Sequence, residues 1–160
     1  MPDQCNERVQ QYLGGVPEDR IINERMVAIQ NHWDRHDFGL WAVHEKGTSR
    51  IAGLCGLQYS DDGLEISYKF FQTFWGRGFG KEASMACINY VLTILKQSSI
   101  VAITQEANFR SRHLLEAIGM KHTKTLMRFG ALQRLYEITH LEHQDFQFWV
   151  YHYNQAEESR

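Results

Sequence analysis

Residues 75–84, WGRGFGKEAS, hold glycine at 76, 78 and 80 and then run straight into good helix formers. Glycine in a loop costs ordering entropy, so three in five positions need a reason. A plain turn, a tight approach to a neighbouring helix, and a ligand that touches the backbone are the three candidates. The first N–H groups of a helix lack internal partners and carry partial positive charge. A phosphate group suits such a place when glycines let the backbone come close. Arg77 and Lys81 add positive charge there. No Gly-Lys-Ser/Thr ends the stretch, so it is not a nucleotide P-loop, and the glycine spacing is not that of a dinucleotide fingerprint.

The other reactive side chains point less sharply. Cys5, Cys55 and Cys87 are odd in number and lack metal-ligand spacing, which reads as free thiols in a reducing cytoplasm. Cys87 falls near the buried face of its helix and reads as packing rather than a nucleophile. The eight histidines are scattered, none in a His-x-x-x-His pair enclosing a glutamate, so no metal site is expected. HWDRHD, residues 32–37, reads as a solvated helix end, with a place beside Trp41 in an acceptor pocket as the alternative.

Elements must carry these residues. Ile22, Met26 and Ile29 share one face of a helix over 19–31. FGLWAV (38–43) and IAGLCGLQY (51–59) read as a hairpin around a polar turn. After SDDG, LEISYKF (64–70) alternates, with Leu64, Ile66, Tyr68 and Phe70 on one face and Glu65, Ser67 and Lys69 on the other. Three strands therefore form an antiparallel meander that ends at the glycines. A helix of about 15 residues follows, carrying Met85, Ile88, Val91, Leu92 and Leu95. IVAIT (100–104) is the β-branched run of a strand buried on both faces, parallel to 64–70. Asn108 can cap a second helix with Leu114, Leu115 and Ile118, and Gly119 can end it. TLMRF and LQRLYEIT close the chain's order as a hairpin around Gly130.

Bulk properties fit one domain over 1–160. Hydrophobic content of 43% and charged content of 22% are ordinary for a soluble globular protein. A net charge of -2 argues against nucleic-acid and membrane-surface partners. No apolar run approaches the roughly 20 residues that span a bilayer, and the start has no signal-like stretch, so a cytoplasmic location is expected.

FWGRGFGKEA resembles the pyrophosphate-binding motif of the Gcn5-related N-acetyltransferase (GNAT) family, in particular the branch that acetylates ribosomal-protein N-termini. That signature reads Arg/Gln-x-x-Gly-x-Gly/Ala; Gly78 and Gly80 fill its glycine places and Trp75 stands where Arg or Gln is usual. NFRSRHLLEAIGM (108–120) resembles the branch's Asn-x-x-Ser-x-x-Leu-Leu-Glu segment, and YLGGVPED and FGLWAV resemble upstream segments. The resemblance spans about residues 9–139. It implies the GNAT fold, an α/β mixed sheet in which an antiparallel meander joins a parallel strand–helix–strand unit.

The resemblance also implies acetyl transfer from acetyl-CoA, as co-substrate, to an amine acceptor, either a protein N-terminus or a small molecule, with no covalent enzyme intermediate. Gly76, Arg77, Gly78, Phe79, Gly80 and Lys81 would hold the CoA pyrophosphate. The pantetheine arm would run beside Phe70 and Phe71, where KFFQTF is the expected site of a bulge that parts this strand from its neighbour. A backbone N–H near Phe71 would stabilise the oxyanion. Glu65 is the candidate base, directly or through a water, or else an exposed strand carboxylate. Asn108 would contact CoA, cap its helix, or do both. Ser111 would donate to the leaving thiolate, or bond the backbone of its own turn. Leu115 occupies the place where many relatives carry a tyrosine acid.

Two departures stand out. Relatives open with one more strand and helix, so the first strand reads as absent and the edge of strand 38–43 as uncovered. The aromatic stretch DFQFWVYHY (145–153), in the extension 140–160, is expected to pack on its own domain or on a second copy in a homodimer. An acyl-CoA-binding protein without catalysis is the alternative function, and a phosphate-binding turn with no coenzyme the third.

Overall fold

The structure, a computed structural model, describes residues 18–144. Cys5, the upstream part of the family-like match and the aromatic stretch 145–153 lie outside the described residues.

Helix α1 (Asp19–His36) runs further than its apolar spacing predicts, and Asp37 in the left-handed region ends it, its N–H bonding Trp33 O at 2.9 Å. No residue of α1 is buried, and Met26 is 61% exposed. The Ile22–Met26–Ile29 stripe lies on this helix as its spacing predicts, with Ile22 and Met26 exposed. The helix is pinned at its C-terminal end instead. His32 Nδ1 bonds Phe38 O at 2.8 Å, Tyr59 N–H bonds His32 Nε2 at 3.2 Å, and Trp33 Nε1 bonds Leu40 O at 3.2 Å. A carbonyl only accepts, so Nδ1 carries the imidazole proton and Nε2 is the acceptor. The HWDRHD segment is thus a fastened helix end, with Trp33 edge-on to Trp41 at 5.5 Å.

Strands β1 (Leu40–His44), β2 (Ile51–Ser60) and β3 (Gly63–Phe70) form the expected antiparallel meander. A 3-10 turn (Gln72–Phe74) leads into the glycines and α2 (Phe79–Asn89), whose last part widens into a π-turn over Tyr90–Ile94. Strand β4 (Ser99–Gln105), helix α3 (Phe109–Ala117) and the hairpin β5 (Lys121–Arg128) and β6 (Ala131–Thr139) follow. The six-stranded sheet has the order β1-β2-β3-β4-β6-β5, with β3 and β4 parallel and every other pair antiparallel. Among the described residues β1 is an outer edge.

Local chemistry accounts for the joints. Asn108 Oδ1 accepts from Ser111 N–H at 3.1 Å and caps α3. At the other end Met120 N–H bonds Leu115 O and Gly119 N–H bonds Glu116 O, with Gly119 at φ 89°, the paired closure of a Schellman motif. Its apolar partners, Leu115 and Met120, are both buried. Phe129 and Gly130, both at positive φ, make the two-residue β5–β6 turn.

Helices α2 and α3 cover the same face of the sheet. Cys87 of α2 lies with Sγ 3.7 Å from Cys55 Sγ on β2, and Glu116 of α3 accepts from Tyr136 OH on β6 at 2.9 Å. Ile88, Val91 and Ile118 from the helices meet Leu57, Ile66, Ile100 and Ile138 from the sheet in one core. Each such side chain contributes roughly 1.5–3 kcal/mol by leaving water.

Candidate active site

The glycine loop resolves into two different uses of glycine. Gly76 and Gly78 sit at φ 72° and 86°, and a Cβ on either would meet nothing within 4 Å. Their freedom serves the left-handed backbone and leaves the loop's outer side open. Gly80 is a close approach, because a Cβ there would lie 3.0 Å from Leu114 Cδ2 on α3. The first bond of α2 runs from Glu82 N–H to Gly78 O at 3.0 Å. Among the described residues, the amides from Gly76 to Lys81 find no acceptor. A row of unpaired N–H groups at a helix N-terminus can take a diphosphate. Lys81 is exposed beside it. The Arg77 guanidinium turns away and pairs with Glu45, resting over the rings of Phe74 and Phe79. Its hydrogen bond holds the Glu45 carboxyl below the usual carboxylate range. Arg77 thus leaves its amide at the loop, with its charge already shared with Glu45.

The second feature is a gap. β3 and β4 share a single bridge, Glu65 with Val101, and then part. The expected bulge is absent, since β2 and β3 stay in regular register from Ser60–Gly63 to Gly53–Phe70. Parting comes from the strand ends, each of which finds other partners. Trp75 Nε1 donates to Phe70 O at 2.9 Å, and Asn108 N–H donates to Gln105 O at 2.9 Å. Phe71 N–H itself donates to Ala52 O at 3.0 Å, so a donor near Phe71 must be a neighbouring amide. Antiparallel ladders alternate. With Phe71 facing β2, the amides of Tyr68 and Phe70 face the gap. By the same alternation Glu106 N–H, bonded to Leu132 O at 2.8 Å, turns Ile103 and Gln105 toward it from β4.

Each face of the gap carries different chemistry. Period-two alternation puts Glu65 on the face opposite the helices. Burial raises its pKa above the ordinary carboxylate value, and nearby Asp62 adds to this, while the Ser60 hydroxyl and Arg128 act the other way. Arg128 is paired with Asp62 at 2.7 Å. On the helical face, Tyr68 OH lies 2.8 Å from Ser111 Oγ and 3.4 Å from Ser111 O. Burial pushes the Tyr68 phenol well up, so it stays protonated. Arg110 stacks on Trp75, its guanidinium carbon 3.9 Å from the ring, and ties the α3 start to the loop across the mouth of the gap.

The acetyltransferase (GNAT) domain model matches residues 4–121. The chain belongs to the GNAT acetyltransferase family. It is 27% identical over 133 residues to the uncharacterized protein YkkB of Bacillus subtilis, covering 81% of this chain and 77% of that one. Among solved structures it is similar to a GNAT-family acetyltransferase from Bacillus anthracis, with 21% identity, TM-score 0.71, and coverage of 85% and 84%. It is also similar to a spermidine N-acetyltransferase from Vibrio cholerae in complex with CoA and spermine, with 18% identity, TM-score 0.71, and coverage of 89% and 88%. The protein is an acetyl-CoA-dependent acetyltransferase of the GNAT fold.

For this GNAT protein the sequence-derived candidates gather around one gap. Glu65 and Phe70 lie on β3, Phe71 just past it, residues 76–81 at the α2 start, and Asn108 and Ser111 at the α3 start. Sequence reasoning overlooked Tyr68, Trp75 as a donor, and Arg110. Tyr68 and Ser111 lie 43 residues apart, so only tertiary structure brings them together. Cys87 is buried against Cys55, as packing requires. No group of three or more metal-ligating side chains occurs among the described residues.

Proposed function

We propose that the chain moves the acetyl group of acetyl-CoA onto a primary amine, at a protein N-terminus or on a small molecule, by direct attack in a ternary complex. The observation that carries this reading is the parting of β3 and β4 after one bridge, which leaves backbone donors and acceptors turned into a gap. Acetyl-CoA would supply the thioester carbonyl. The amides of residues 76–81 would hold its diphosphate, assisted by Lys81, and Asn108 would both cap α3 and border the coenzyme. The free N–H of Phe70, rather than that of Phe71, is the oxyanion donor in this reading. Glu65 takes a proton from the acceptor ammonium, directly or through a water, and so frees the neutral amine that attacks; a carboxylate with a raised pKa suits that task. Ser111 donates a hydrogen bond to the sulfur as the C–S bond breaks. Holding both substrates in line supplies much of the remaining acceleration.

The motif WGRGFG and the segment 108–120 support the branch that acetylates ribosomal-protein N-termini, and polyamines are the second acceptor class, suggested by the spermine-bound neighbour. The free thiols Cys55 and Cys87 suit a cytoplasmic setting. An acetyl-transfer screen over N-terminal peptides, polyamines, amino acids and aminoglycosides tests the proposal, with Glu65→Gln beside the parent. Acetylation of one class, lost in Glu65→Gln, supports it. Coenzyme binding without transfer to any amine overturns it.

A further inference from the structure

We infer that Tyr68 is a positioning residue that aims the Ser111 hydroxyl at the sulfur of the coenzyme. The inference rests on the reading of Ser111 given above and adds the residue that makes its hydroxyl directional. A serine hydroxyl rotates freely unless something fixes its oxygen. One contact reaches this oxygen and two more hold the backbone that bears it. Ser111 N–H is held by Asn108 Oδ1 at 3.1 Å, which sets the first turn of α3. Tyr68 OH sits 2.8 Å from Ser111 Oγ. The same phenol lies 3.4 Å from Ser111 O, so it faces both oxygens of that residue.

Either oxygen of the 2.8 Å pair can be the donor; as proposed, the phenol donates along this shorter contact rather than to Ser111 O, and so occupies one lone pair of Oγ and leaves the serine O–H to point elsewhere. Tyr68 belongs to the part of β3 whose backbone faces the gap, and Ser111 to the helix turn that follows β4. In the proposed arrangement the serine proton points into the gap between them. During transfer the N–C bond forms and the C–S bond breaks, and the electron pair of that bond goes to sulfur. Ser111 stabilises the resulting thiolate by its hydrogen bond. No proton needs to leave Tyr68, and the proton that ends on sulfur balances the one lost by the amine. Cys55 and Tyr136 are the other titratable groups beside the phenol.

Bound CoA itself reads this arrangement out, without knowledge of the acceptor. A donor aimed at sulfur favours thiolate over thiol. The thiolate absorbance of CoA bound to the full chain is titrated against pH, with desulfo-CoA complexes subtracted to remove the protein's own cysteines and tyrosines. The parent should show a midpoint below the value of about 8.5 for a free alkyl thiol. Tyr68→Phe and Ser111→Ala should each return it to about that value, and the double variant should move it no further. Ser111→Thr keeps a hydroxyl and should keep the depression. A purely structural tyrosine would lower the melting temperature and leave the midpoint alone. A parent-like midpoint in Tyr68→Phe beside a raised one in Ser111→Ala overturns the role of Tyr68 while sparing Ser111. An unshifted midpoint in both variants overturns the serine reading as well, and a parent that fails to bind CoA overturns the coenzyme site itself.

Discussion

Glu65 carries the sharpest residue-level consequence. Its folded pKa is raised by burial, so the base becomes competent only as pH climbs past that raised value. The acidic limb of kcat/KM should therefore lie above the ordinary carboxylate range. Glu65→Gln should lower kcat by about 100-fold and abolish that limb, with KM for acetyl-CoA little changed. A variant whose pH profile overlays the parent's would remove Glu65 from the reaction. Residue identities near the gap also mark what a sequence shows. Glu65 and Ser111 are visible because they sit inside recognisable segments. Tyr68 is hidden because its alternation reads only as an inward strand position. Arg77 misleads, since its charge looks available until Glu45 is placed beside it by the fold.

At the scale of elements, the two kinds of glycine separate binding from packing. Gly78→Ala puts a Cβ on a left-handed N-cap in open space. It should cost about 1 kcal/mol of stability and weaken CoA binding roughly tenfold, by strain and by obstructing the amides. Gly80→Val presses on Leu114, and should cost about 1–3 kcal/mol of stability through the α2–α3 contact. Denaturant midpoints and CoA titration of both variants measure the contrast. If both glycines behaved alike, the division of labour would be wrong.

The end of β6 offers a pH test. Lys121, then the backbone and hydroxyl of Thr139, hold the Glu142 carboxyl down to about 2. A depressed carboxylate stabilises the fold above its unfolded value of about 4.3, and that contribution is lost as pH falls toward 2. Glu142→Gln should thus lower the melting temperature at neutral pH, and the gap between variant and parent should close over that window. An equal deficit at every pH would contradict the linkage.

Local signals made these elements legible: the alternation of β3, the Asn108 cap, the Gly119 closure and the Phe129–Gly130 turn. Three features were not. The exposure of the α1 stripe is invisible to helical spacing, which marks a shared face but not what covers it. The π-turn after Asn89 leaves no mark in apolar spacing. The β3–β4 parting depends on Trp75 and Asn108 satisfying the carbonyls at the strand ends, a tertiary arrangement rather than a bulge.

For the whole molecule, the proposed coenzyme site would couple ligand binding to the fold. The cradle joins β3, α2 and α3, so a ligand that grips it should stabilise all three together. CoA at 100 times its dissociation constant should add about 2.7 kcal/mol, which raises the melting temperature by roughly 5–10 °C for a chain of this size. An unchanged melting temperature at saturating CoA would mean the loop holds no such ligand. Among the described residues the sheet opens at the parallel β3–β4 pair, and β3 leads through Phe70 toward the loop. In the proposed reading the loop would aim a thioester from the helix start into the gap, with Glu65 on one face and the Tyr68–Ser111 pair on the other.

A crystal structure of the chain with CoA tests that arrangement most directly. Diphosphate oxygens should lie within hydrogen-bond distance of the amides between Gly76 and Lys81, with the pantetheine arm bonded to the backbone of Tyr68 and Phe70 inside an open gap. Phosphates bound elsewhere, or β3 and β4 zipped together beyond Glu65 and Val101, would contradict it.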